Sequence, residues 1–502
     1  MRTKKSIINV LVGTISLIFT TILGFVNSRY FALNIGVETS GLNSVFTNVI
    51  AIMSVTELGI AGAINYNLYK PVHEKDYEKV SQIMSFYKKC YMIIGTVILL
   101  VSLIVSNYIY FFIEDTTFDK NYIQFTFILC SLSTVLSYFL AYHRNLFYAF
   151  QDNYITLIID SAIRVFTLFI QLFVLIYIKS YVVYLIVNLL SNIASNMMIA
   201  VLSSKKYKEI TFKSRNKDKN LEKKVLSDVK SLAVIQITSA LINFTDAIII
   251  SRILGVIIAG IYSFYAQIIN ILTSLINMIF NSLGASIGNL LAEDEREKIK
   301  NVLHILIYIC FFIGIFIASG IINGFQPLII FWLGEDFLID YSIIFVLGVN
   351  FYILVQRQVV SYYLRTGGYH DRLVVPLIVE AVINLIVSIA LANKFGLLGV
   401  FIGTMVSALF GIIQNSYVLH KIYCFQYSQY IKKELFWFIL FVLETLVTHY
   451  FLDFVRFKFS SFVNFLFTGI LSIVLPTIII LVIAVRNKTI KEFIYNHLKK
   501  RR

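Results

Sequence analysis

Charged residues are scarce in this 502-residue sequence, at 14% of the chain, and there are only 4 prolines, 4 cysteines and 2 tryptophans. A soluble globular domain carries about 25% charged residues. Because 58% of this chain is hydrophobic, one soluble core could not bury the excess of apolar side chains. The composition therefore indicates a protein whose solvent is the lipid bilayer.

Cysteine and histidine form no metal-site or disulfide pattern, since the cysteines are far apart and the seven histidines are scattered. Walker A, H-E-x-x-H and G-x-S-x-G motifs are also missing, and Gly367-Gly368 lies in a short turn that is not a phosphate loop. We therefore predict neither an enzyme active site nor a cofactor, and a transporter with this sequence would have to be a secondary transporter. Its energy would come from an H⁺ or Na⁺ gradient, the membrane potential or the substrate gradient.

Apolar runs of the length that a bilayer requires, about 20 residues, recur along the whole chain. They are continuous rather than alternating, which favours helices over a membrane barrel. The sequence thus predicts an all-α polytopic protein with about fourteen transmembrane helices, of which the second is the least apolar. The runs cover residues 7–28, 41–64, 86–112, 122–142, 154–178, 181–203, 231–251, 256–286, 300–322, 341–363, 373–392, 396–419, 434–452 and 462–485.

The net charge of +15 comes from basic residues that lie between the apolar runs, so membrane topology explains it better than a nucleic-acid partner does. With a cytoplasmic N-terminus, most of the 43 Lys and Arg residues fall on the cytoplasmic side. The positive-inside rule then predicts that both termini are cytoplasmic. The basic segment 204–230 is predicted to be a cytoplasmic linker that contacts anionic lipid headgroups.

A hairpin motif occurs twice in the sequence. Ser28-Arg29 and Ser251-Arg252 are followed by Gly36-Val37-x3-Gly41-Leu42 and Gly255-Val256-x3-Gly260-Ile261. Further on, Asn67-Leu68 and Ile94-Gly95 are echoed by Asn289-Leu290 and Ile313-Gly314. Six helices separate the copies, so the halves share one orientation, as in parallel-repeat transporters.

The repeat predicts the domain organisation. An N-terminal six-helix lobe (1–203) and the basic linker (204–230) precede a second six-helix lobe (231–419). Residues 420–502 would form two additional helices and a basic C-terminal tail.

Ionisable residues inside a bilayer are costly, of the order of 3 kcal/mol each, and are functional candidates by default. Asp160 and Arg164 are four residues apart on one helix face, which predicts a structural ion pair. Glu444 lies in the two additional helices and is discounted as close to an interface. The full set is Glu57, Asp160, Arg164, Asp246, Arg357, Glu380 and Glu444.

Carboxylates in this set are candidates for ion coupling or gating, since a buried carboxylate can carry a proton. Asp246 is the strongest of them, although a static role as the partner of an arginine is equally compatible with the sequence. Glu380 is a further candidate, and so is Glu57, for which a capping or packing role beside small residues stays open.

Three arginines, Arg29, Arg252 and Arg357, could together line a cationic cavity. Guanidinium groups stay charged and donate several fixed hydrogen bonds, which suits a diphosphate. For Arg29 and Arg252, simple snorkelling to the interface is the competing interpretation.

Several stretches resemble the polysaccharide flippases of the multidrug/oligosaccharidyl-lipid/polysaccharide exporter superfamily, and the likeness extends over the chain. They are Gly41-Leu42 through Glu57-Leu58-Gly59-Ile60 to Asn67-Leu68-Tyr69-Lys70-Pro71, Thr245-Asp246 with Tyr262-Ser263, and Gly288-Asn289-Leu290.

The resemblance implies a flippase of the bacterial plasma membrane. It would move undecaprenyl-diphosphate-linked oligosaccharide repeat units from the inner to the outer leaflet by alternating access, for capsule or O-antigen synthesis, with H⁺ or Na⁺ coupling. A diphosphate-contacting role would fall to Arg29 and Arg252, and also to Arg357. The implied partners are the lipid-linked substrate, membrane lipids, a polysaccharide polymerase and glycosyltransferases.

Two other functions stay open at this point. A cation-coupled multidrug antiporter of the same fold should have an acidic, apolar cavity, whereas arginines occur here. A membrane-embedded enzyme of polysaccharide assembly would need a large outer loop with paired carboxylates or arginines. The longest predicted outer loop, about 323–340, is short and holds Glu335, Asp336 and Asp340.

Overall fold

A computed structural model describes residues 2–54, 67–212, 219–293, 295–423, 426–454 and 461–486. Within these ranges the chain is helical and contains no strand. We number the fourteen long helices and leave the short helix Arg144–Ala149 unnumbered. The long helices are α1 (Arg2–Asn34), α2 (Val37–Ser54), α3 (Tyr77–Ser106), α4 (Lys120–Ala141), α5 (Asn153–Phe173), α6 (Tyr181–Lys206), α7 (Lys219–Leu254), α8 (Val256–Ala292), α9 (Arg296–Trp332), α10 (Tyr341–Thr366), α11 (His370–Phe395), α12 (Leu397–Tyr423), α13 (Tyr427–Phe454) and α14 (Ser461–Arg486).

Twelve of these helices are long and apolar enough to cross a membrane over the residues described. The other two are α2, which is described as far as Ser54, and α14, whose apolar described part is Phe462–Ile478. Each predicted apolar run overlaps one long helix over the residues that the structure describes, so the all-α polytopic prediction is confirmed. Glu57, in the second predicted run, lies outside the described residues.

Residues 1–264 and 265–502 form two compact units. The division falls inside α8, so α7 and the first residues of α8 belong to the first unit. The predicted lobe boundaries follow the sequence repeat instead, and they stay predictions.

Both units contain a glycine of the third helix of the repeat that faces a tyrosine of the next helix. In the first unit, a Cβ on Gly95 of α3 would lie 3.2 Å from the Cβ of Tyr138 of α4. In the second, a Cβ on Gly314 of α9 would lie 3.2 Å from the Tyr352 ring of α10. Small residues permit such close helix packing. The echo of Ile94-Gly95 by Ile313-Gly314 therefore corresponds to a repeated helix contact.

The last two helices belong to the second unit. Trp437 and Phe441 of α13 are buried in one cluster with Phe311 of α9 and Tyr352 of α10. Tyr352 and Phe441 stack with ring planes 2° apart. α13 is thus part of the core of this unit, although it lies outside the sequence repeat.

Candidate functional site

The two copies of the glycine hairpin meet within the first unit and form a reciprocal contact. A Cβ on Gly41 would overlap the carbonyl oxygen of Val256, and a Cβ on Gly260 would overlap the carbonyl oxygen of Val37. The preceding glycines, Gly36 and Gly255, both have positive φ angles of 106° and 95°. Glycine adopts these angles without strain. The sequence repeat therefore produces a two-fold contact between α2 and the start of α8, which we call the hairpin contact.

The loop between α3 and α4, residues 107–119, joins both hairpins. Glu38 at the start of α2 accepts hydrogen bonds from the hydroxyls of Thr116, at 2.8 Å, and Thr117, at 2.7 Å. On the other side, the Glu114 amide donates to the Ser251 carbonyl at 3.2 Å, and the Val256 amide donates to the Glu114 carbonyl at 3.0 Å. This loop is thus hydrogen-bonded to the ends of both repeat copies beside the hairpin contact.

Arg252 also contacts this loop. Its guanidinium forms an ion pair with Glu114 and lies 4.6 Å from the centre of the Phe111 ring. Arg252 and Glu114 are both about half exposed, which limits the energy of this pair. The structure therefore gives Arg252 a local partner that the sequence analysis missed. Arg29 is exposed near the end of α1.

Asp246 belongs to a polar stripe on α7. Gln236, Ser239, Asn243 and Asp246 follow at helical spacing, and all four are half-buried or exposed. Asp246 lies close enough to the Tyr262 hydroxyl for an electrostatic interaction. Polar groups facing lipid are costly, so such a stripe in a membrane helix is expected to line a water-filled path.

The second unit has a polar ladder between α8 and α10. Gln358 donates to Asn277 across 3.1 Å, and one turn further Tyr362 donates to Asn281. Asn281 is exposed, as are Ser274 and Ser282 on α8. Side-chain amides and hydroxyls donate and accept hydrogen bonds, which is the chemistry that sugar hydroxyls require.

Arg357 and Glu380 form a buried ion pair between α10 and α11. The two guanidinium nitrogens donate to the two carboxylate oxygens at 2.5 and 2.8 Å. The Glu380 side chain is 2% exposed and that of Arg357 is 19% exposed. Gly411 of α12 closes over the pair, since a Cβ there would lie 2.6 Å from a Glu380 oxygen. The structure thus pairs a predicted substrate-binding residue with a predicted coupling residue.

Asp160 has a different partner from the predicted one. Arg144, in the short helix, donates to both Asp160 oxygens at 2.6 and 2.9 Å. The Ser195 hydroxyl of α6 also donates to Asp160. The prediction of an Asp160–Arg164 pair is therefore wrong, because the bidentate pair with Arg144 occupies the carboxylate. Arg144 was missed because it lies outside the apolar runs that supplied the candidates.

His143, next to Arg144, is a buried histidine that stays uncharged. Its imidazole packs against the rings of Tyr142 and Phe212. Burial, with a smaller contribution from Lys88, lowers the pKa of His143 to about 4. The positive charge in this region is therefore carried by Arg144 and Lys88 at neutral pH.

The family model described as "polysaccharide biosynthesis protein" matches residues 6–283, which is more than half of the chain. The chain belongs to this family. A comparison of the sequence with curated proteins finds no match. The resemblance that the motifs carry is thus confirmed at the level of the family.

Solved structures share the fold of the chain at low sequence identity. The lipid II flippase MurJ, in an inward closed conformation, is similar with a TM-score of 0.69 and 17% identity, over 97% of this chain and 99% of that one. An inward-facing multidrug resistance MATE family transporter is similar with a TM-score of 0.64 and 13% identity, over 82% of this chain and 98% of that one. A Vibrio cholerae MATE transporter is similar with a TM-score of 0.57 and 14% identity, over 84% of this chain and 98% of that one. The chain therefore has the fold that these three solved proteins share.

Proposed function

We propose that this protein is a flippase that moves undecaprenyl-diphosphate-linked oligosaccharide repeat units from the inner to the outer leaflet of a bacterial plasma membrane. The observation that carries the proposal is the family match over residues 6–283, together with a MurJ-like fold over 97% of the chain. The product of the cycle would supply capsule, O-antigen or another surface polysaccharide. A polymerase and glycosyltransferases would act on the same glycan.

The polar side chains within the helices support a glycan-bearing cargo. The α7 stripe and the α8–α10 ladder consist mainly of amides and hydroxyls, which can exchange hydrogen bonds with sugars. An acidic, apolar surface would favour lipophilic cations instead, and the stripe contributes only Asp246 as a carboxylate. These polar surfaces favour the flippase over a multidrug antiporter of the same fold.

The arginines take different roles in this proposal. Arg252 and Arg357 are neutralised by Glu114 and Glu380, so a diphosphate would have to displace a carboxylate to reach them. Arg29 is exposed near the end of α1 that leads into the first hairpin, and we assign a diphosphate contact to it on the basis of that exposure. In the state described here, Arg252 then joins α7 to the 107–119 loop and Arg357 joins α10 to α11. Both exchange partners during the cycle.

The hairpin contact is assigned the role of a gate. With both termini in the cytoplasm, as the distribution of Lys and Arg favours, the hairpins and the 107–119 loop lie at the outer face. Their close contact then closes that face, and opening it would release the glycan outwards. Asp246 lies on α7, the helix that leads to this gate, and is assigned a coupling or gating role.

The substrate class can be tested by ligand-induced thermal stabilisation of the purified full-length protein. A polyprenyl diphosphate-linked oligosaccharide is expected to raise the melting temperature, and a lipophilic phosphonium cation is not. Arg29→Ala should weaken the glycolipid affinity about tenfold or more, because a charge-assisted hydrogen bond contributes about 1.5–3 kcal/mol.

Lys394→Ala is the matched control, since Lys394 is an exposed cation at the end of α11 and should leave the affinity unchanged. Stabilisation by the phosphonium cation alone would favour the antiporter and contradict the proposal. If the two variants change the affinity equally, Arg29 is not part of the binding site.

A further inference from the structure

Glu444 is a buried carboxylate in the middle of α13, outside the sequence repeat. Glu444 as a whole is only 3% exposed. It accepts a hydrogen bond from the Thr448 hydroxyl at 2.7 Å and from the Thr445 hydroxyl at 3.4 Å, both on α13. From α9, the Ser319 hydroxyl donates to it at 3.4 Å. All of its partners are thus neutral hydroxyl groups.

No Lys, Arg or His pairs with Glu444 among the residues that the structure describes. This distinguishes it from Glu380 and Asp160, which are each held by an arginine. Burying an unpaired carboxylate is costly, and such a group takes up a proton instead. Glu444 is therefore suited to binding a proton in this conformation.

A chain of polar side chains connects Glu444 to an exposed residue, and we call it the α13 polar chain. It consists of Glu444, Ser319, Asn323, His449 and Asp453. The Ser319 hydroxyl is 3.4 Å from the Asn323 amide nitrogen, and the Asn323 oxygen is 3.3 Å from Nδ1 of His449. Nε2 of His449 is 3.5 Å from Asp453, whose side chain is 45% exposed. The hydroxyl, the imidazole and the carboxylate of this chain can each accept and release a proton. The Asn323 amide cannot, so a proton that crosses between His449 and Ser319 would need a bridging water.

Among the residues that the structure describes, few other charges come close to this chain. α9 carries no charged residue after His304, α12 none before His420 and α14 none before Arg486. From α10, Tyr341 stacks on the His449 ring at 4.2 Å. Glu434 lies ten residues earlier on α13, about 15 Å along the helix. Besides His449 and Asp453, which belong to the chain, the titratable groups beside it are Tyr341 and Tyr450, whose ring centre is 6.1 Å from that of His449.

We propose that Glu444 is a proton-binding site that exchanges its proton with one membrane face through the α13 polar chain. The residues that hold the proton lie on α9 and α13, whereas the polar surfaces assigned to the cargo lie on α7, α8 and α10. The use of Glu444 as the coupling site of the transport cycle rests on the proposed flippase function. The binding of a proton to Glu444 does not depend on that function.

Carbodiimide labelling tests the binding site directly in the unmodified protein. Dicyclohexylcarbodiimide is apolar and reacts with protonated carboxyl groups to leave a stable acylurea. We expect labelling of Glu444 in the peptide mass spectrum at about pH 6, and at least about fivefold less at about pH 9. Glu380, held by Arg357, should stay unlabelled and serves as the internal control.

Three results would overturn the proposal. Glu444 could remain unlabelled at every pH, its labelling could be independent of pH, or Na⁺ at constant pH could protect it, which would indicate a sodium site. A shift of the labelling profile to higher pH in Thr448→Val would support it further, because that variant removes a hydrogen bond to the charged form.

The coupling role is tested by glycolipid translocation in proteoliposomes with and without a pH gradient. Glu444→Gln should lose the acceleration that the gradient gives to the wild type, and Glu335→Gln, in an exposed loop, should retain it. An unchanged response to the gradient in Glu444→Gln would show that Glu444 is not the coupling site. A wild type without any translocation would instead contradict the proposed function, while the labelling result would stand by itself.

Discussion

Replacing Arg357 by alanine is expected to destabilise the folded protein by about 3–5 kcal/mol. The change leaves the Glu380 carboxylate buried, at 2% exposure, without its bidentate partner. The free energy of unfolding in mixed detergent micelles measures the effect. Glu380→Gln should be less harmful, because the Gln oxygen can still accept a hydrogen bond from Arg357, whose side chain is 19% exposed and so partly solvated.

The double variant Arg357→Met/Glu380→Leu separates the loss of the ion pair from the burial of an unpaired charge. Replacing both members of a buried ion pair by apolar residues of similar volume is often neutral, so most of the lost stability should return. Arg144→Ala is the matched control, since the Asp160 side chain is 39% exposed and water can solvate the remaining charge. A loss as large in Arg144→Ala as in Arg357→Ala would contradict the account of burial.

Gly41→Ala and Gly260→Ala are each expected to reduce translocation by about tenfold or more and to leave membrane insertion intact. Either Cβ would overlap a backbone carbonyl oxygen across the hairpin contact, and backbone cannot move aside as a flexible side chain can. Since the contact is reciprocal, both variants should have similar effects. Such a loss corresponds to at least about 1.4 kcal/mol against the closed state.

A disulfide reports, independently of transport, on the contact between α2 and the 107–119 loop, which lies beside the hairpin contact. Cysteines at Glu38 and Thr117, in a background without the native cysteines, should cross-link readily in the parent and much less with Gly41→Ala. Gly24→Ala is the control, because nothing lies within 4 Å of a Cβ at that position. Normal cross-linking and flux in Gly41→Ala would show that the hairpins need not approach this closely.

The helices and the repeat could be predicted because both leave strong local signals. A membrane helix requires a long apolar run, and a close approach of two backbones requires glycine. The spacing of Gly36 and Gly41 matches that of Gly255 and Gly260, and the structure shows the reason in a reciprocal contact. The sequence indicated the equivalence of the two hairpins, but not that they contact each other.

The partners of the charged residues could not be predicted, since they are set by tertiary contacts. The i, i+4 rule selected Arg164 for Asp160, but Arg144 reaches the carboxylate from a separate short helix. Arg357 and Glu380 lie 23 residues apart on different helices. Glu444 was discounted by its position in the chain, whereas the packing of α13 on α9 buries it. The substrate-binding roles of Arg29, Arg252 and Arg357 stay predictions, as do the coupling roles of Asp246, Glu57 and Glu380.

The movement of a glycolipid between leaflets is the most direct test of the central claim. The purified protein is reconstituted into liposomes that contain a labelled undecaprenyl diphosphate-linked oligosaccharide, and exposure of the glycan in the opposite leaflet is followed with a membrane-impermeant glycosidase. The account predicts protein-dependent translocation that Gly41→Ala abolishes and Gly24→Ala leaves unchanged. Equal exposure in liposomes with and without the protein, whether or not a gradient is applied, would contradict it.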